Sequence, residues 1–117
     1  VILHPLFHWS PAARRAAIER RGLRIDSPPT VDSRHWGRVC VCMSPSHAWA
    51  LSAGYVGEPG QVWDLWMVQL SKQDDVEVMP FTGNIIEEIR ISNNIPRDRL
   101  WYVGARTVPD GLELTGH

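Results

Sequence analysis

An α+β domain is what this sequence predicts, on three observations. Two serine–proline pairs, Ser10-Pro11 and Ser44-Pro45, each head a short alanine-containing stretch and read as helix starts. From Val62 onward the chain is a succession of short apolar segments with no further long helical period. Strands that follow early helices, instead of alternating with them, suggest α+β and not a doubly wound parallel sheet. The 117 residues suit a single domain spanning 1–117, with enough chain to bury a core.

The elements follow in order. Val1 to Phe7 is β-rich, short and without a basic leader, so it reads as a strand and not as a signal peptide. A helix is expected from about Pro11 to Arg21, with Ser10 as N-cap, Gly22 as the C′ stop, and Ala13, Ala17 and Ile18 as an apolar stripe closed by Leu23. Ile25 to Trp36 has no periodicity and contains Pro28-Pro29, which marks a long loop; Arg34, His35 and Trp36 there are placed to close on a ligand. Val39 to Met43 is a short buried strand, followed by a second helix from Pro45 to about Ala53 with Gly54 as its stop. After a turn at Gly57 to Gly60, the segment Val62 to Leu70 is apolar at both parities, as a central strand should be, which accounts for Trp63 and Trp66. A polar turn, Ser71 to Asp75, leads to a strand at Val76 to Met79 and a loop at Pro80 to Asn84. Ile85 to Ile91 alternates as a strand, Asn93 to Arg99 is a connection with a helical turn after Pro96, and Leu100 to Ala105 is a last strand.

Charge and composition exclude some functions. The formal net charge of −1, from 12 basic and 13 acidic residues, argues against a general electrostatic grip on nucleic acid. Between Arg14 and Arg24, however, stand five arginines and one glutamate, either a local anion-binding patch or a solvated helix face. Cys40 and Cys42 are expected on opposite faces of their strand, a poor geometry for a disulfide. With no other cysteine, a reducing, cytoplasmic setting is the natural expectation. His4, His8, His35, His47 and His117 show no metal-ligand spacing with the cysteines, so no metal is expected. Six tryptophans fit either a dense core or a ring-binding cleft.

Three segments carry side chains suited to chemistry. In Leu6-Phe7-His8-Trp9-Ser10-Pro11 a strand delivers a histidine and a serine to a strand–helix junction, where unpaired N–H groups suit anionic or carbonyl ligands. In Cys42-Met43-Ser44-Pro45 a second strand ends on a hydroxyl, with Trp49 and Tyr55 following. In Glu87-Glu88-Ile89-Arg90-Ile91 two adjacent carboxylates point to opposite faces, and core positions for Ile89 and Ile91 put Glu88 with Arg90 on the other.

In order and content these segments resemble the ADP-ribosyltransferase-like fold, in small versions akin to bacterial and phage domains. "LFHWSP" is similar to that family's first-strand motif, "AARRAAIERRGLR" to its first helix ending in Gly22-Leu23, "VCVCMSPSHAWALSAGY" to its central strand and helix, and "NIIEEIRISNNIPRDRLWYV" to its late strand with the catalytic glutamate. The resemblance covers about Leu3 to Val103 and implies split antiparallel sheets with two helices packed alongside. It implies NAD as substrate: His8 on a ribose hydroxyl, the Trp9 backbone on the nicotinamide amide, Ser10 and Ser44 near the ligand, Trp49 or Tyr55 stacked on the nicotinamide ring, and Arg14 or Arg15 on the diphosphate. Glu88, with Glu87 as the competing carboxylate, would stabilise the oxocarbenium-like transition state as nicotinamide leaves.

This implied activity, mono-ADP-ribosyl transfer, needs orientation and one negative charge near the developing cation, since the leaving group is already cationic. The acceptor stays open among protein, nucleic acid and small molecule. Cys42 stands where the family often has tyrosine, which motivates a second expectation: a binding module of the same fold that holds NAD, ADP-ribose or a protein without turnover. An RNA-directed 2′-phosphotransferase-like relative is disfavoured by the net charge.

Overall fold

The computed structural model describes residues 5–27, 37–81 and 86–109. Strand β1, Leu6–Pro11, opens the described chain; a 3-10 turn at Ala12–Arg14 and helix α1, Arg15–Arg21, follow it. Strand β2 is Val39–Val41, helices α2 and α3 are Pro45–Ala50 and Ala53–Val56, and strands β3 to β6 are Val62–Val68, Val76–Phe81, Ile86–Ile91 and Leu100–Thr107. A second 3-10 turn, Arg97–Arg99, leads into β6. The strands form two antiparallel three-stranded sheets, β1-β3-β6 and β2-β5-β4. The architecture is a small α+β domain, as the element order predicts.

β3 is central in its sheet and buried on both faces. Trp63 and Leu65 pack on one side with Trp9, Trp49, Ala48 and Ala53; Trp66 and Val68 pack on the other with Leu6, Ile18 and Leu100. That double burial is why VWDLWMVQL shows no polar alternation. The cluster around Trp66 also takes Val39, Val41, Ile89 and Ile91 from the other sheet, so one apolar core joins both sheets.

The first helix begins later than predicted. Ser10 and Pro11 stay in β1, paired with Asp64 and Trp63, and Ser10 caps nothing. Continued pairing with β3 outweighs the local Ser-Pro helix signal, and proline is tolerated because β1 is an edge strand whose outer N–H needs no ladder partner. Of the expected stripe only Ile18 is buried; Ala13 and Ala17 are exposed. Gly22 does end α1, at φ 76°, and Leu23 then pairs with Ile95.

Ser44 N-caps α2, its hydroxyl accepting the His47 N–H at 3.1 Å. The helix does not run on to Ala53: it breaks at Leu51-Ser52, and Gly54 lies inside α3, which ends at Gly57. β4 extends beyond Met79 to take in Pro80 and Phe81, again with proline on an edge strand. Residues 28–36, which hold Arg34, His35 and Trp36 of the expected loop, lie outside the described residues, as do residues 82–85. No described helix is long and apolar enough to cross a membrane.

Candidate functional site

β1 and β2 are the facing edges of the two sheets, and they touch at one place. Phe7 and Cys42 exchange backbone hydrogen bonds of 2.8 and 3.0 Å. Carried further, that antiparallel register would set Trp9 opposite Cys40. Instead the Cys40 carbonyl accepts a hydrogen bond from His8 Nδ1 at 2.8 Å. The imidazole thus takes the carbonyl that a continued ladder would use, and the sheets part. Phe7 directs its peptide groups toward β2, and by the period of the strand so does Trp9. The Trp9 N–H and C=O therefore face the gap.

The gap is a cavity of about 290 Å³, at the lower end of the range for small-molecule sites. His8, Trp9, Ser10, Arg14 and Glu88 all line it. The cavity wall from the second sheet is set by register: Cys40 lies opposite Arg90 and Val41 opposite Ile89, so Cys40, Cys42, Glu88 and Arg90 share the cleft face. This corrects the expectation for the cysteines. Residues two apart on a strand share a face, and both thiols line the cavity. Both are free, and burial in this wall pushes each thiol up to about 12.

Glu88 is only 4% exposed, and its Oε1 accepts from Arg90 Nε at 2.6 Å. Glu87 is exposed and has the opposite parity, so of the two carboxylates Glu88 is the one at the cleft. His8 is held below its ordinary pKa, first by burial and also by the Arg14 charge, against the Cys40 hydrogen bond. The neutral ring with its proton on Nδ1 presents Nε2 as an acceptor.

Other candidates lie elsewhere. Ser44 is occupied as the α2 cap, and Tyr55 is 74% exposed; neither lines the cavity. Trp49 is buried edge-on to Trp9 at 4.7 Å, with the Arg106 guanidinium 4.1 Å over its ring, and is not in the lining either. The Trp9 indole turns away to pack there, donating to the Pro45 carbonyl at 2.9 Å. Arg15 also points elsewhere. Its guanidinium makes a two-pronged contact, 2.7 and 2.8 Å, with fully buried Asp64, and sits 4.9 Å from the Tyr102 ring.

Arg21 and Arg24, from the arginine-rich stretch that offered an anion-binding patch, line the cavity, as does Arg38, which sequence did not single out. The seven-residue spacing of Arg14 and Arg21 puts both on one helix face; Arg38, before a short strand, carries no such signal. Among the described residues no group of three or more histidine, cysteine or acidic side chains could hold a metal ion. The sequence matches no protein-family model and no curated protein.

Proposed function

We propose that the chain is an NAD-dependent mono-ADP-ribosyltransferase of the ADP-ribosyltransferase-like fold, acting in the cleft between its two sheets. One observation carries the reading: His8, Trp9 and Glu88 line a single cavity, with His8 Nδ1 on the Cys40 carbonyl. A carboxamide offers a donor and an acceptor in the pattern of a neighbouring strand, so the nicotinamide amide would complete the interrupted ladder at Trp9. His8 Nε2 would accept from a ribose hydroxyl, which fixes the sugar beside Glu88. The cavity has room for the nicotinamide riboside half of NAD, with Ala48 and Leu51 as apolar wall and the diphosphate near Arg14. The split between two antiparallel sheets also suits the arrangement that the resemblance implies.

The chemistry asks little of the chain. As the C1′–nitrogen bond breaks, its electrons neutralise the nicotinamide ring and positive charge develops on the ribose. The Glu88 carboxylate stabilises that charge, and the acceptor then bonds to C1′ and releases a proton. Chromatographic assay of nicotinamide release tests the reading. Glu88→Gln is expected to slow release by roughly 100- to 1,000-fold with the melting temperature retained, while Glu87→Gln keeps most activity. A wild-type protein that neither releases nicotinamide nor binds NAD by calorimetry overturns it.

A second reading is favoured by the close Glu88–Arg90 pair. Arg90 offsets the charge that the transition state needs, and Cys42 supplies no phenol. A domain that binds NAD or ADP-ribose without turnover, for sensing or protein interaction, accounts for both. Calorimetric binding of NAD with no nicotinamide release selects it.

A further inference from the structure

Arg14, Ala17, Ile18 and Arg21 all line the cleft. Their spacing puts them on one face of the first turn and α1. Arg24, just past Gly22, and Arg38, just before β2, complete the mouth. Among the described residues Glu88 is the only carboxylate in that lining.

Among the described residues, the carboxylates beside the mouth do not neutralise it. Asp26 is shared, 3.1 Å from Arg24 and 3.8 Å from Arg21, and Glu77 lies 2.9 Å from Arg38. Arg14 has no carboxylate partner among the described residues. With Arg90 paired to Glu88, five guanidinium groups stand against three carboxylates among the described residues, in a chain whose net charge is −1. The Arg21, Arg24 and Arg38 side chains are 53%, 33% and 34% exposed. Each guanidinium has five donors, more than these contacts use. Such a mouth repels an arginine or lysine acceptor and attracts phosphate.

We propose that this arginine mouth docks the phosphate backbone of single-stranded nucleic acid, which is then the ADP-ribose acceptor; the acceptor role rests on the NAD reading above. A single strand is favoured because the nucleophile must enter a recessed cleft, and a duplex keeps its bases stacked inside. A base nitrogen or ribose hydroxyl of the strand forms the bond to C1′ as the bond to nicotinamide breaks. The electron pair leaves with nicotinamide, and the acceptor's proton passes to water. Net charge alone pointed away from nucleic acid; the placement of charge points toward it.

Fluorescence anisotropy with a labelled mixed-sequence single-stranded oligonucleotide, over a salt series, tests the docking. Wild type is expected to bind with affinity that falls steeply with salt. The Arg21→Ala/Arg24→Ala variant should lose about 1 to 1.5 from the slope of log affinity against log salt, and Arg38→Ala about half of that. Absence of binding by wild type, or slopes unchanged in both variants, overturns the proposal. Labelled NAD with the oligonucleotide and an arginine-rich peptide together tests the acceptor role: label is expected on the strand, and label on the peptide alone overturns it. Nicotinamide release without any acceptor reports on the NAD reading separately. Strand binding by a protein that releases none retains the docking surface and removes the NAD reading.

Discussion

Because Nδ1 of His8 donates to the Cys40 carbonyl, the ring must stay neutral to offer Nε2 as an acceptor. Its lowered pKa keeps it so. The unfolded chain takes up a proton near pH 6.5, before the folded chain does. Stability is therefore full above that pH and declines as pH falls toward the lower folded value. Thermal melts from pH 7.5 to 5 should show this decline, and His8→Gln should flatten it. An unchanged slope in the variant assigns the decline to other groups. Ligand binding should follow the same direction, since a protonated Nε2 no longer accepts. The cleft residues at β1 and β5 were legible in the sequence because strand period puts Glu88 on the face opposite the core residues Ile89 and Ile91. The aromatic assignments were not. Trp49 and Tyr55 differ in burial for a tertiary reason, the packing of α2 on Trp9 and Trp63, that no local pattern encodes.

At the scale of elements, the helix-to-strand connection at Gly22 is the tightest fit. Gly22 has φ 76°, and a Cβ there would meet the Ile95 carbonyl oxygen at 2.1 Å. That oxygen accepts from Leu23 N–H, so it cannot move without losing the Leu23–Ile95 pairing. Gly22→Ala should cost more than about 2 kcal/mol, read as a lower urea midpoint with an unchanged slope. A loss below about 0.5 kcal/mol, the range of ordinary surface substitutions, refutes this account. A second joint ties the β3–β4 turn to the start of β6. Asp74 takes two contacts from Arg99, 2.7 and 2.9 Å, and a third from Asn93. The Arg99 guanidinium first, with the Ser71 N–H and Asn93, holds the Asp74 carboxyl down to about 2. Its stabilisation is present above pH 3.8 and lost as pH falls through about 2. Asp74→Asn should lower stability at pH 7 by on the order of 1 kcal/mol, after solvent screening at Arg99 is counted. The variant should also remove that portion of the acid limb. The order of elements along the chain and the Gly22 stop were readable because each has a local cause. The Ser10-Pro11 helix start failed because pairing with β3 is long-range, and the break at Leu51-Ser52 has no glycine or proline to announce it.

At the scale of the molecule, the two sheets share few backbone hydrogen bonds and much of one core. Phe7 and Cys42 make the backbone link, whereas Leu6, Trp66, Val68 and Leu100 from one sheet pack with Val39, Val41, Ile89 and Ile91 from the other. Neither sheet of three strands can bury both its faces alone, so the halves depend on that shared apolar layer. The cleft therefore opens at the backbone level without dividing the domain, and unfolding should be a single cooperative step. The chain carries reporters on both sides. Trp9, Trp63 and Trp66 sit in the first sheet, and Cys40, half-buried, and Cys42, buried, mark the cleft wall of the second, both thiols with pKa pushed up to about 12. In urea, tryptophan fluorescence and thiol labelling should give coincident midpoints, with labelling negligible below the transition. Cysteine labelling at clearly lower urea than the fluorescence change means that β2-β5-β4 detaches first. In that case the cleft residues His8 and Glu88, one on each sheet, are held together by something weaker than a common core.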